Sequence, residues 1–74
     1  MTDFDFTLAI SGVSGLTDAQ ADALFAAGCD DGTPGVRGGS VTLNFTRAAA
    51  SRADAVASAI RDAKAAGFDA AEID

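Results

Sequence analysis

Phe4, Phe6, Leu8 and Ile10 alternate with Asp3, Asp5, Thr7 and Ala9, and this two-residue period constrains the fold more than any other feature of the chain. Successive side chains on a strand point to opposite faces, so the segment reads as a strand with one apolar and one polar side. Such a strand needs a second layer to cover its apolar side. Ser11, Gly12, Ser14 and Gly15 break the alternation, and the period then changes. Thr17 and Gln20, three positions apart, form a capping-box signature, and Asp18 suits the positive end of a helix dipole. Ala21, Leu24, Phe25 and Gly28 recur at helical spacing. The spacing predicts a helix over 18–27 with that stripe facing the sheet and Gly28 as its left-handed cap.

Residues 30–40 are rich in turn formers. Within them Thr33 to Val36 reads as a short strand before a Gly38-Gly39 turn, and Pro34, which has no N–H for a ladder, places that strand at an edge. Val41, Leu43 and Phe45 alternate with Thr42, Asn44 and Thr46 as a third strand. Ser51 and Asp54 form a weaker capping box because Asp is shorter than the usual Glu or Gln. A second helix follows with Ala53, Val56, Ile60 and Ala63 as its expected buried stripe, Arg52, Ser58, Arg61 and Asp62 off it, and Gly67 at its end. Residues 68–73 read as a last strand with Ala71 and Ile73 inward. The expected fold is α+β: a single domain over 1–74, a ferredoxin-like βαββαβ two-layer sandwich. In it, two helices lie on one face of a four-stranded antiparallel sheet with strands one and three in the middle. The other face would show Asp5, Thr7, Ala9, Thr42 and Asn44.

Composition matters next, because it limits the core. Of 74 residues, 18 are alanine and five are phenylalanine, with no Trp or Tyr, so each buried position removes little apolar area from water. Domains this small often need a disulfide, a metal or self-association. One cysteine excludes an internal disulfide, and the absence of histidine and of a second thiol excludes an ordinary zinc site. Self-association, as a homodimer, is the expected staple, and no cofactor is expected. Residues 1–36 carry six acids and no base, while residues 37–74 carry five of each, for a net charge of −6. Nucleic-acid binding rests on Lys and Arg meeting phosphates, so direct binding to DNA or RNA is not expected, nor is binding to anionic membranes. No apolar run nears about 20 residues and no basic segment precedes an apolar one. The expected setting is a reducing cytoplasm.

Few residues invite chemistry. The loop after the first strand carries neither the cysteine pair of metallochaperones of this topology nor the arginine of acylphosphatases. Its glycines and the following helix leave two readings: a flexible turn, or a small-ligand loop formed by Ser11, Gly12, Ser14 and Gly15. Cys29 lies near a helix C-terminus beside Asp30 and Asp31, which opposes thiolate formation, so a packing role is expected. Asp18, Asp22, Asp30 and Asp31 are the candidate partner-binding acids. Arg37, Arg47, Arg52, Arg61 and Lys64 are read as solvated. No set of residues supplies nucleophile, base and orienting group together, so no enzyme is expected.

Several segments taken together resemble a known family. Leu16-Thr17-Asp18, Asp22-Ala23-Leu24-Phe25, Ala27-Gly28-Cys29-Asp30-Asp31, Asn44-Phe45-Thr46-Arg47 with Ser51, and Ser58-Ala59-Ile60-Arg61-Asp62 look like the N-terminal region of a family of small bacterial helix-turn-helix regulators. The chain departs from that family in lacking the helix-turn-helix and in carrying alanines at 48–50. The resemblance therefore implies an accessory oligomerisation or partner-sensing module, and no catalytic residues. Three functions follow as expectations: a non-enzymatic interaction module linked to bacterial regulation; a small acidic inhibitor, such as an anti-CRISPR or antitoxin-like protein, covering a basic nucleic-acid groove; or a small-molecule-sensing domain.

Overall fold

A computed structural model describes residues 2–13 and 15–73. Strand β1 runs Thr2–Ile10, helix α1 Asp18–Ala27, strand β2 Gly32–Arg37, strand β3 Ser40–Ala49, helix α2 Arg52–Ala65 and strand β4 Ala70–Glu72. A 3₁₀ turn, Cys29–Asp31, links α1 to β2. The four strands form one antiparallel sheet in the order β2-β3-β1-β4. Strands one and three are thus central, as their strong alternation predicts.

Register follows the hydrophobic pattern. Phe6 lies opposite Phe45, Leu8 opposite Leu43 and Ile10 opposite Val41, so these six side chains share one face. They pack with Leu24 of α1, Cys29, and Ala55, Ala59 and Ala63 of α2 in one buried cluster. The α2 residues recur every four positions, a narrow stripe of methyl groups that lets the helix approach the sheet closely. Phe6 and Phe45 stack with ring centroids 5.2 Å apart. The small aliphatic groups leave this aromatic pair as the bulkiest part of the core.

The start of α1 matches its capping signature in full, and the start of α2 matches the Ser51 half of its own. Thr17 Oγ accepts from the Gln20 N–H at 3.1 Å while the Gln20 side chain accepts from the Thr17 N–H at 2.9 Å. At α2 Ser51 Oγ accepts from the Asp54 N–H at 3.2 Å. Gly38 and Gly39 have φ of +58° and +83°, the double left-handed geometry of a two-residue hairpin turn. Because Arg37 and Ser40 close that hairpin, ladder bonds alternate from them, and Pro34 falls at a position whose missing N–H faces away from β3.

Four expectations need correction. Phe25 does not join the buried stripe of α1; Leu24, also expected there, is the helix's buried residue, and Phe25 stays 41 % exposed. On α2 the buried stripe is Ala55, Ala59 and Ala63, with Val56 and Ile60 at its margin and Ala53 outside. The alanine-only stripe fits closer to the sheet than one with branched side chains would. In the last strand Phe68 and Ala70 pack inward, whereas Ala71 lies opposite Ala9 and Ile73 is 44 % exposed on the far face. A one-residue shift in the assumed phase reverses every side chain of a strand. Finally, Arg47 is not solvated.

Candidate functional site

Arg47 follows Phe45 by two residues on β3 and therefore points to the core face, where it lies opposite Phe4. Only 12 % of its side chain is exposed, so its guanidinium requires partners. It has them. Nε donates to Asp31 Oδ2 and Nη2 to Asp31 Oδ1, both at 2.7 Å, the parallel two-bond geometry that favours Arg over Lys. Nη1 donates to Asp62 Oδ2 at 3.1 Å and to Ser58 Oγ at 3.0 Å, and Nη2 donates to the Gly28 carbonyl at 2.9 Å. These bonds match the five N–H donors of a guanidinium. The carbon of that group also sits 5.2 Å from the Phe45 ring centroid, within cation–π range. Its hydrogen bond to Asp31 is the chief reason its proton is held still more tightly than in free arginine, against the opposing effect of burial.

Local backbone geometry places each partner. Gly28 ends α1 at φ +118° and its N–H caps the Leu24 and Phe25 carbonyls. A Cβ there would lie 2.7 Å from Asp62 Oδ2, so the absence of a side chain lets α1 and α2 close on the arginine. Ser58 and Asp62 are one helical turn apart on α2 and share a flank. With every donor engaged, Arg47 has no capacity left to bind a substrate anion. The arrangement fastens three separate segments together.

The residues singled out from sequence are distributed unevenly around this clasp. Asp31 gives both oxygens to Arg47, whereas Asp18, Asp22 and Asp30 are exposed. The four acids thus divide into one internal group and three external ones. Cys29 is fully buried. Its thiol is pushed up to about 11, first by burial and then by the Asp62 carboxylate, partly offset by Arg47. Ser11, Gly12 and Gly15 are exposed in the loop after β1, and Ser14 lies outside the described residues. Among the described residues no group of three or more His, Cys, Asp or Glu side chains is arranged to hold a metal, and no helix is long and apolar enough to cross a membrane.

Arg47 is the residue that reading by composition misses. The available signal was its phase: a charge continuing the buried series Val41, Leu43, Phe45 demands compensation.

A different surface has binding character. Beside α2, on its β4 side, a groove of about 450 Å³ is lined by Ala53, Val56, Ala57 and Ile60, with Arg52 and Glu72 at its edge. Arg52 Nη2 meets Glu72 Oε2 at 2.7 Å, and its Nη1 donates to the Asp5 carbonyl at 2.8 Å. A second depression, of about 430 Å³, lies on the polar sheet face between Asp5, Thr7, Thr33, Asn44 and Thr46. Two of its hydroxyls are engaged across strands: Thr7 donates to Asn44 Oδ1 at 2.6 Å and Thr46 to Asp5 Oδ1 at 2.7 Å.

Comparison of the chain with protein-family models, with curated proteins and with solved structures finds no match.

Proposed function

We propose that this protein is a non-enzymatic interaction module of ferredoxin-like fold that associates with itself. The observation that carries the reading is the apolar groove of α2. Ala53 and Ala57 are exposed, and Val56 and Ile60 are half-buried, on a chain whose alanine-rich core has little apolar area to spare. Leaving such a strip in water forgoes stabilisation that a contact between copies would recover.

The element order βαββαβ and the strand order β2-β3-β1-β4 support the fold assignment. The two buried groups that would attract a mechanistic reading, Arg47 and Cys29, are respectively saturated with hydrogen bonds and held as a neutral thiol, which favours a structural role for both. A place in bacterial regulation rests on the resemblance of the Ala27–Asp31 and Ser58–Asp62 segments to the regulator family, and a cytoplasmic setting on the single unpaired thiol. Both segments contribute to the Arg47 clasp, Gly28 and Asp31 from the first and Ser58 and Asp62 from the second.

Sedimentation velocity over a concentration series tests the reading. Reversible association is expected by about 100 μM, a modest affinity suited to a small interface. A strict monomer at that concentration would overturn it.

A further inference from the structure

Two features of opposite charge stand on opposite flanks of the helical layer. On α1, Asp18, Asp22 and Phe25 fall within about 60° of arc at about 100° per residue, so an exposed phenyl ring is flanked by two carboxylates. No base occurs in residues 1–36, so nothing on this helix neutralises them. On α2, the groove floor of Val56 and Ile60 is followed one turn on by the exposed Lys64, while Arg52 at the other end is ion-paired with Glu72. The acids and the phenyl ring therefore match, in charge and polarity, Lys64 and the apolar floor.

A single chain does not bring these features together. α1 meets α2 along the flank of Ser58 and Asp62, where Gly28 abuts Asp62. Val56 and Ile60 lie about 120° to 160° around the helix from that flank. We infer that Phe25 of one copy seats in the Ala53, Val56, Ala57 and Ile60 groove of a second copy, with Asp18 and Asp22 toward its Lys64, giving a head-to-tail contact. This rests on the self-association proposed above and specifies its geometry. A contact between two different patches leaves one free patch of each kind on every pair, so assembly continues to a ring or an open chain unless it is capped. A buried aromatic anchor supplies most of the affinity, and the exposed charges set orientation and weaken with salt.

The test uses two variants at exposed positions that leave the core untouched. Phe25→Ala removes the ring and keeps the groove, while Ala57→Glu blocks the groove and keeps the ring; circular dichroism establishes that both remain folded. Each alone is expected to associate at least about tenfold more weakly than the parent chain. An equal mixture of the two should form a one-to-one heterodimer and nothing larger, because only one productive contact exists between them. If the parent chain assembles but Phe25→Ala assembles equally well, or the mixture fails to form the heterodimer, the head-to-tail geometry is wrong and self-association stands. If the parent chain stays monomeric, the proposed function fails with it.

Discussion

Gly28 and Asp62 are packed so closely that a single added methyl group would stand 2.7 Å from the carboxylate. Gly28 also holds φ at +118°, a region that L-residues rarely adopt. Gly28→Ala should therefore combine backbone strain with displacement of Asp62 from Arg47. The expected loss is about 2 kcal/mol or more, read as a lower urea midpoint with an unchanged slope. A variant as stable as the parent would show that α1 and α2 separate there without penalty.

Arg47→Ala leaves Asp31 and Asp62 facing each other without a cation. Removing one member of a buried ion pair destabilises by about 3 to 5 kcal/mol, and partial exposure of both acids places the expected loss near the lower figure. For a chain with stability on the order of 5 kcal/mol, that brings it close to unfolding at 37 °C. Arg47→Lys should recover less than half of the loss, since an ammonium cannot serve Asp31, Asp62, Ser58 and Gly28 together. Thermal melts of the three proteins decide between a fork and a simple charge.

Neighbouring acids should behave differently. Asp31→Asn removes one arm of the clasp and is expected to lower stability by about 2 kcal/mol, whereas Asp30→Asn, at an exposed position, should change it by less than about 0.5 kcal/mol. Equal effects on denaturant midpoints would contradict the division of the two carboxylates into internal and external groups.

Burial, with the Asp62 carboxylate next, pushes the Cys29 thiol up from 9.0 to about 11 in the folded chain. Between those values the folded state retains a proton that the unfolded state has lost, so stability is unaffected below pH 9 and falls as pH rises toward 11. At pH 8 iodoacetamide should label the unfolded chain within minutes and leave the folded chain unmodified, because thiolate and access are both lacking. Rapid labelling of folded protein at that pH would place the sulfur in solvent.

The hairpin offers a change in the opposite direction. A Cβ at Gly38 meets nothing within 4 Å, and Asn tolerates the left-handed geometry required. Gly38→Asn should raise stability by about 0.5 kcal/mol by limiting the unfolded chain. A lower melting temperature would indicate a turn of another type.

How far these features were legible in the sequence depends on what encoded them. β1 and β3 were readable because alternations over seven and five residues, of Phe, Leu, Ile and Val against Asp, Thr, Ala and Asn, leave one choice of face. Thr17 with Gln20 marked the start of α1, and Gly38-Gly39 marked the hairpin, since both are local geometries that few residues satisfy. β4 was misphased because Ala70 and Ala71 carry no contrast, and its direction was set by Phe68 packing from outside the strand. α2 was misaligned for the same reason: six of its fourteen residues are alanine, and a stripe of methyl groups looks the same from several angles. The clasp was hidden because its members are 11 to 19 positions apart from Arg47, and only the tertiary fold brings Gly28, Asp31, Ser58 and Asp62 to one cation.

That separation along the chain bears on time as well as on equilibrium. The guanidinium can be fully engaged only after the α1 terminus, β3 and α2 have all arrived, so these bonds belong to the last stage of folding and to the first stage of opening. Weakening them should shorten the lifetime of the native state while leaving the refolding rate almost unchanged. A chain of this size would thereby resist transient opening, and the proteases that exploit it, through the slowness of one polar latch and not through the bulk of its interior.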